Sequence, residues 1–331
     1  MWPTNEIGKM TAAPTLTVVF PAFNEEGVIA STLHRLRDVV SSSDELRDSV
    51  EVIIVNDGSA DATFDEAKAS LDAALPGRVI DLATNVGSHA AIRSGLQRAR
   101  GKYIAILAAD GQDPPELLPD MLAALGSGAD VVWGERRDRS NDPAPTRLLS
   151  RLYYGFFRRM TGMDYPPQGY DFVMFSDRVL DALRCYQERN ASVFLLIFNL
   201  GFLQTTVPYE RGERIGGATG WTLRKRMKLA VDMLTAFTAA PIRVVSATGI
   251  LIGGFGLVYG GITVVRGLLG HIPAEGWASL MVVTSLMGGM ILIALGFIGE
   301  YLWRTLDEVR GRPLFIERRS AQIPDEGFDG D

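Results

Sequence analysis

From Val244 to Val265, and again from Ala278 to Gly299, the chain carries no charged side chain. As a helix rising 1.5 Å per residue, each run reaches roughly 33 Å, enough to cross a ~30 Å hydrocarbon layer. Two such runs in succession predict a transmembrane hairpin over 242–303, which confines a soluble domain to the chain before it. A buried helix pair in a soluble core is the alternative, and this length disfavours it. Gly249/Gly253 and Gly256/Gly260 repeat at the spacing that lets helices approach closely, within the hairpin or between the subunits of a homo-oligomer. Between the runs, the ionisable residues are Arg266, His271 and Glu275. Lys and Arg gather before the first run, including Arg243, and after the second at Arg304, Arg310 and Arg312. That asymmetry predicts a multi-pass cell-membrane protein with both ends, and the soluble domain, in the cytoplasm.

Ahead of the hairpin, Trp221 to Ala240 has Leu223, Met227, Ala230, Leu234 and Phe237 on one helical face. Arg224, Lys225, Arg226 and Lys228 crowd its first turns. The pattern predicts an amphipathic helix over 221–241 in the membrane interface, against anionic lipid. A surface helix packed on the soluble domain is the plainer alternative. Residues 304–331 are expected to form a cytoplasmic tail, and Met1 to Ala13, short and polar with no secretory signal, a disordered lead-in.

Residues 14–220 alternate apolar strand runs with helical patterns. Thr15 to Phe20, Glu51 to Asn56, Arg78 to Leu82, Tyr103 to Leu107 and Asp130 to Gly134 read as strands. Asp171 to Phe175 and Thr205 to Tyr209 read as later ones. Ile29, Leu33, Leu36 and Val40 form the apolar stripe of the first helix, with Asn24 as its expected N-cap. This alternation implies an α/β domain whose mostly parallel sheet is covered on both faces. The polar clusters follow strand ends, which gathers them along one sheet edge, where open α/β sheets bind ligands. A net charge of −6 argues against nucleic acid as a partner. The single cysteine, Cys185, excludes an internal disulfide and a cysteine-based zinc site.

Asp110 ends the strand run from Tyr103 and begins the sharp turn Asp110-Gly-Gln-Asp-Pro-Pro-Glu116. A carboxylate there is a hard oxygen ligand suited to Mg²⁺ or Mn²⁺ against a diphosphate. Asp113, followed by two prolines and Glu116, reads as a helix N-cap, with a direct catalytic role as the alternative. Asp57, in Val55-Asn-Asp-Gly-Ser59, suits either a hydrogen bond to a nucleobase or hydroxyl, or capping of the following helix. His89 reads as structural.

Pro21-Ala-Phe-Asn-Glu-Glu26, Val55-Asn-Asp-Gly-Ser59, Asn85-Val-Gly87, Asp110 to Glu116 and the cationic loop at Arg211 and Arg214, in this order, resemble the family 2 glycosyltransferases with the GT-A fold. Within them the chain is most similar to bacterial polyprenyl-phosphate glycosyltransferases and dolichyl-phosphate mannose synthases, over about Thr15 to Arg318. The resemblance implies a metal-dependent, inverting transfer of a sugar from a UDP- or GDP-sugar to a polyprenyl phosphate. It further implies that Pro21, Phe23, Glu25, Val55 and Asp57 hold base and ribose, and that Asp110 holds Mg²⁺ or Mn²⁺. Gln112 and Arg211 would contact the donor, Arg214 a phosphate of donor or acceptor, and Asp171 the groups near the transferred sugar. Two positions depart from the family: Ala108 stands where the first acid of an Asp-x-Asp pair is usual, and Gly220 where a Lys is. Those departures support a rival, a catalytically silent membrane scaffold. A processive polysaccharide synthase would carry Gln-x-x-Arg-Trp, which is absent.

Overall fold

A computed structural model describes residues 14–47, 49–136, 172–186, 192–209, 240–269 and 276–324. Two compact units divide it, one built on a sheet and one on two long helices. The lead-in before residue 14 and most of the expected amphipathic helix, residues 221–239, lie outside the described residues.

The sheet has eight strands: β1 (Leu16–Ala22), β2 (Val50–Asn56), β3 (Gly77–Leu82), β4 (Tyr103–Ile106), β5 (Val131–Arg136), β6 (Val173–Ser176), β7 (Gln204–Tyr209) and β8 (Glu317–Ile323). They lie in the order β7-β5-β6-β4-β1-β2-β3-β8. The central strands β4, β1, β2 and β3 run parallel, as do β5 and β7; β6 and β8 are the antiparallel members. β2 is buried along its whole length, and Leu16, Val18, Val19 and Phe20 of β1 are fully buried. Continuous apolar strands of this kind need cover on both faces. This is the GT-A arrangement expected from the sequence.

The helices are α1 (Ile29–Ser42), α2 (Thr63–Ala69), α3 (Ser88–Arg98), α4 (Leu118–Gly126), α5 (Asp177–Arg184) and α6 (Val193–Asn199). α1 buries the expected stripe, Ile29, Leu33, Leu36 and Val40. α3 lies so close on β1 and β2 that a Cβ at Gly95 would stand 2.5 Å from Val19 Cγ1 and 3.3 Å from Val55 Cγ2. A side chain there would push the helix off the sheet.

Two expectations are corrected in this unit. Asn24 does not cap α1, which begins at Ile29; its φ is +54°, in the left-handed region that Asn tolerates. The stretch 304–331, expected as a tail, contains β8, which pairs antiparallel with β3 and closes one edge of the sheet. Glu317-Arg-Arg-Ser-Ala-Gln-Ile323 has the polar, charged character of an edge strand, so hydrophobic periodicity gives no signal for it.

In the second unit, α7 (Ala240–Leu268) and α8 (Trp277–Val309) lie side by side. Each contains a stretch long and apolar enough to cross a membrane, Val245–Ile262 and Leu286–Val309. Ile250, Leu251, Phe255, Leu292 and Leu295 are all more than half exposed. α8 runs six residues beyond the expected hairpin end at 303.

Candidate active site

The parallel register brings four clusters to one edge. Pro21 lies opposite Val55 and Ala22 opposite Asn56, and the Asp57 N–H donates to the Ala22 carbonyl at 2.8 Å. β4 pairs with the other side of β1, so its exit at Leu107 to Asp110 stands beside the exit of β1. β3 supplies the segment Ala83 to Gly87 on the far side of β2. Phe23 is 45% exposed, free to present a ring face, while Glu25 and Pro21 are half-buried. Val55 differs from the others: its side chain is fully buried toward α3 and belongs to the core beneath the edge.

The turn that carries Phe23 and Glu25 is laced to the segment after β2. Four successive backbone N–H groups donate to side chains there: Asn24 to Ser59 Oγ at 2.9 Å, Glu25 to Thr63 Oγ1 at 2.8 Å, Glu26 to Asp61 Oδ2 at 3.3 Å and Gly27 to Glu66 Oε2 at 2.7 Å. The lacing is reciprocal, because Ala60 N–H donates to Asn24 Oδ1 and Ala62 N–H to Glu26 Oε2. Asn24, Glu26, Ser59, Asp61, Thr63 and Glu66 thus satisfy an irregular backbone that no ladder could pair. Their polar side chains carried that signal in sequence, but the partners lie 35 to 39 residues apart and become visible only in the fold.

Asp57 is buried, and each carboxylate oxygen accepts one backbone N–H from the segment before α3: Val86 at 2.7 Å and Gly87 at 2.8 Å. Burial pushes its carboxyl above the usual range, and those two amides oppose the shift. Asp57 therefore clamps the Asn85-Val-Gly87 loop rather than capping α2, whose first turn has no side-chain cap, and each oxygen keeps a further lone pair for a ligand. Gly58 completes the clamp. Its φ is +65°, and a Cβ would stand 2.7 Å from the Thr84 carbonyl carbon, so only glycine fits.

Asp110 is half-buried, and its Oδ1 accepts the Gln112 N–H at 3.1 Å, an Asx turn. Neighbours hold the surrounding loop. Thr32 Oγ1 of α1 donates to the Ala109 carbonyl at 3.1 Å, and Arg35 Nη1 to the Gly111 carbonyl at 3.1 Å. Arg35 also forks onto both oxygens of Glu116, at 3.1 and 2.8 Å. Asp113 is fully buried, with no side-chain cap on the helical turn that follows at Pro115–Leu117. Its Oδ2 accepts the Ala108 N–H at 2.8 Å, and its Oδ1 the Tyr209 hydroxyl at 3.5 Å. The expected N-cap is thus a clamp that folds the loop back on itself. Thr32, Arg35 and Tyr209 gave no sequence signal, because nothing local links them to the loop.

Asp110 alone represents the expected metal ligands; among the described residues no group of three His, Cys, Asp or Glu is placed to hold an ion. One half-buried carboxylate fits an ion that takes its other ligands from a diphosphate and water. His89, in the first turn of α3, stands edge-on to Phe194 with ring centroids 5.8 Å apart. Among the described residues its buried Nδ1 has no partner, and burial, aided by the Arg93 charge, lowers its pKa to about 4. Asp171, Arg211 and Arg214 lie outside the described residues.

Comparison with known proteins adds independent findings. The family model for glycosyl transferase family 2 matches residues 17–184. An uncharacterized glycosyltransferase of Bacillus subtilis, YkcC, is 35% identical over 93% of this chain and 94% of its own. The undecaprenyl-phosphate 4-deoxy-4-formamido-L-arabinose transferase of Aeromonas hydrophila is 32% identical over 94% and 96% of the two chains. A prophage-derived bactoprenol glucosyl transferase of Shigella flexneri is 30% identical over 92% and 98%.

Proposed function

The chain belongs to glycosyl transferase family 2, and from that membership we propose that it transfers one sugar from a UDP- or GDP-sugar to a polyprenyl phosphate, with inversion, at the cytoplasmic face of a cell membrane. That it is a glycosyltransferase follows from the family itself. The acceptor is supported by two relatives that act on different sugars yet both use a polyprenyl carrier, as their names state. Two helices of membrane-spanning length and apolarity agree with a lipid acceptor held in the bilayer. The observation that carries the reading is the placement of Phe23, Glu25, Asp57, Asp110 and Gln112 together at the carboxyl edge of β1, β2 and β4.

In this reading Pro21, Phe23, Glu25 and Asp57 hold the base and ribose, above Val55. Asp110 and Gln112 face the diphosphate and sugar. A Mg²⁺ or Mn²⁺ ion held by Asp110 and the diphosphate would offset the negative charge of the leaving nucleoside diphosphate. Arg214, with Arg211, binds phosphate through guanidinium geometry and keeps its charge throughout. A phosphate oxygen of the acceptor attacks the anomeric carbon in line; the bond to the donor diphosphate breaks, and the nucleoside diphosphate leaves with the electron pair. A phosphate monoester is mostly dianionic near neutral pH, so the attack needs no general base. Asp171 accordingly orients the acceptor.

The chain's own rigid elements do the positioning. Thr32, Arg35 and Asp113 fix the loop of Asp110, and the lacing of Asn24 to Gly27 fixes the base-binding turn, so little ordering is left for substrate binding to drive. Ala108 favours the rival reading, a silent scaffold. Membranes containing the protein, given radiolabelled UDP- and GDP-sugars with undecaprenyl phosphate, separate the two. Label in a lipid product supports transfer; no label from any donor, with no nucleotide binding, supports the scaffold.

A further inference from the structure

Asp81, at the end of β3, is almost wholly buried, its side chain 1% exposed. Two side chains donate to it from opposite directions: Asn56 Nδ2 of β2 at 2.7 Å to Oδ1, and Arg319 Nε of β8 at 3.0 Å to Oδ2. Arg318 Nη1 stands 3.6 Å from the same oxygen. The Arg319 guanidinium carbon also lies over Phe64 of α2, 3.8 Å from the ring centroid. Beyond Asn56 the chain of bonds continues. The Ser59 hydroxyl donates to Asn56 Oδ1, and the Asn24 N–H donates to Ser59 Oγ at 2.9 Å. Every hydrogen in this series points toward Asp81. Such a series polarises each member and has one direction only, because Asn56 must offer its NH₂ to the carboxylate and its oxygen to Ser59.

The geometry points to Arg319 as a positioning residue for the nucleotide. By holding Asp81 in place it sets the orientation of Asn56 and Ser59, and through them the left-handed Asn24 turn that carries Phe23 and Glu25. The strand that comes only seven residues after the second long helix, Val309 to Glu317, thereby reaches the donor-binding turn by side-chain bonds. This inference rests on the reading of that turn as the nucleotide site.

The test uses full-length protein and the affinity of UDP and GDP, each with Mn²⁺. Three variants are compared: Ser59→Ala; Arg318→Gln with Arg319→Gln; and Gln322→Ala. The last removes the Arg78–Gln322 bond of the same strand pair, outside the series. Loss of one link is expected to weaken nucleotide binding by about tenfold in the first two variants. Amides of Asn24 to Gly27 should exchange hydrogen faster in both, and kcat at saturating donor should stay within about twofold. A loss of folded protein would lower kcat instead and leave affinity unchanged. Gln322→Ala should match wild type. Equal nucleotide affinity and equal exchange in all the proteins would overturn the inference while leaving the donor site intact, as would an equal loss in Gln322→Ala. A wild-type protein that binds neither nucleotide would overturn the donor-site reading, and this inference with it.

Discussion

The Asp113 carboxylate accepts the backbone N–H of Ala108, five residues earlier, at 2.8 Å. Ala108 is the position at which an acid is expected from the family pattern, and here its contribution is a main-chain amide tied to a buried carboxylate. The loop of Asp110 is therefore shaped from within by Asp113 and from α1 by Thr32 and Arg35, with Asp110 as its one candidate ligand. Asp113→Ala leaves the half-buried Ala108 amide without its acceptor, which should cost about 1 kcal/mol of stability. Asp113→Asn keeps an acceptor and should cost less. Denaturant midpoints of the two variants check the order.

Restoring the second acid tests what its absence does. Ala108 is half-buried beside Asp110, so a carboxylate can be added there without entering the core. Ala108→Asp should raise Mn²⁺ affinity, measured without nucleotide, by about tenfold. Unchanged affinity would mean that the added carboxylate does not join Asp110 in a metal site.

Asp57 supports a second loop. Asp57→Asn exchanges one acceptor oxygen for a donor and orphans the Val86 or the Gly87 amide. We expect a loss of about 1–3 kcal/mol, with faster hydrogen exchange at those two amides. Gly58→Ala should be at least as harmful, since it combines a positive φ with a 2.7 Å approach to the Thr84 backbone.

His89 gives a pH signature. Its folded pKa of about 4 lies below the usual 6.5, so between those values the unfolded chain takes up a proton that the folded chain refuses. The stability tied to neutral His89 is thus complete above pH 6.5 and is lost as the pH falls toward 4. At pH 5 the loss amounts to about 2 kcal/mol. His89→Gln should show a smaller fall in melting temperature between pH 7 and pH 5 than wild type; equal falls would count against a buried neutral imidazole.

Much of this architecture can be read along the chain, because it depends on local pattern. The β1, β2 and β4 runs, the α1 stripe and the two uncharged runs within the long helices each announce themselves by period or length. The polar residues were legible as important, but their roles depend on partners far along the chain. Asn24 and Asp113 both look like helix caps, yet one bridges to Ala60 and the other folds back on Ala108. β8 is hidden for a different reason: an edge strand held by Arg319, Arg318 and Gln322 to polar groups of β3 needs no apolar alternation.

Sugar transfer to undecaprenyl phosphate by wild type and by Asp110→Asn, in the same membranes and from the same nucleotide-sugars, tests the central claim most directly. Wild type should form a labelled lipid from one donor, dependent on a divalent ion. Asp110→Asn should be folded, with unchanged melting temperature, and at least about a hundredfold slower. Transfer by Asp110→Asn at the wild-type rate would contradict the assignment of this sheet edge as the place where the sugar moves.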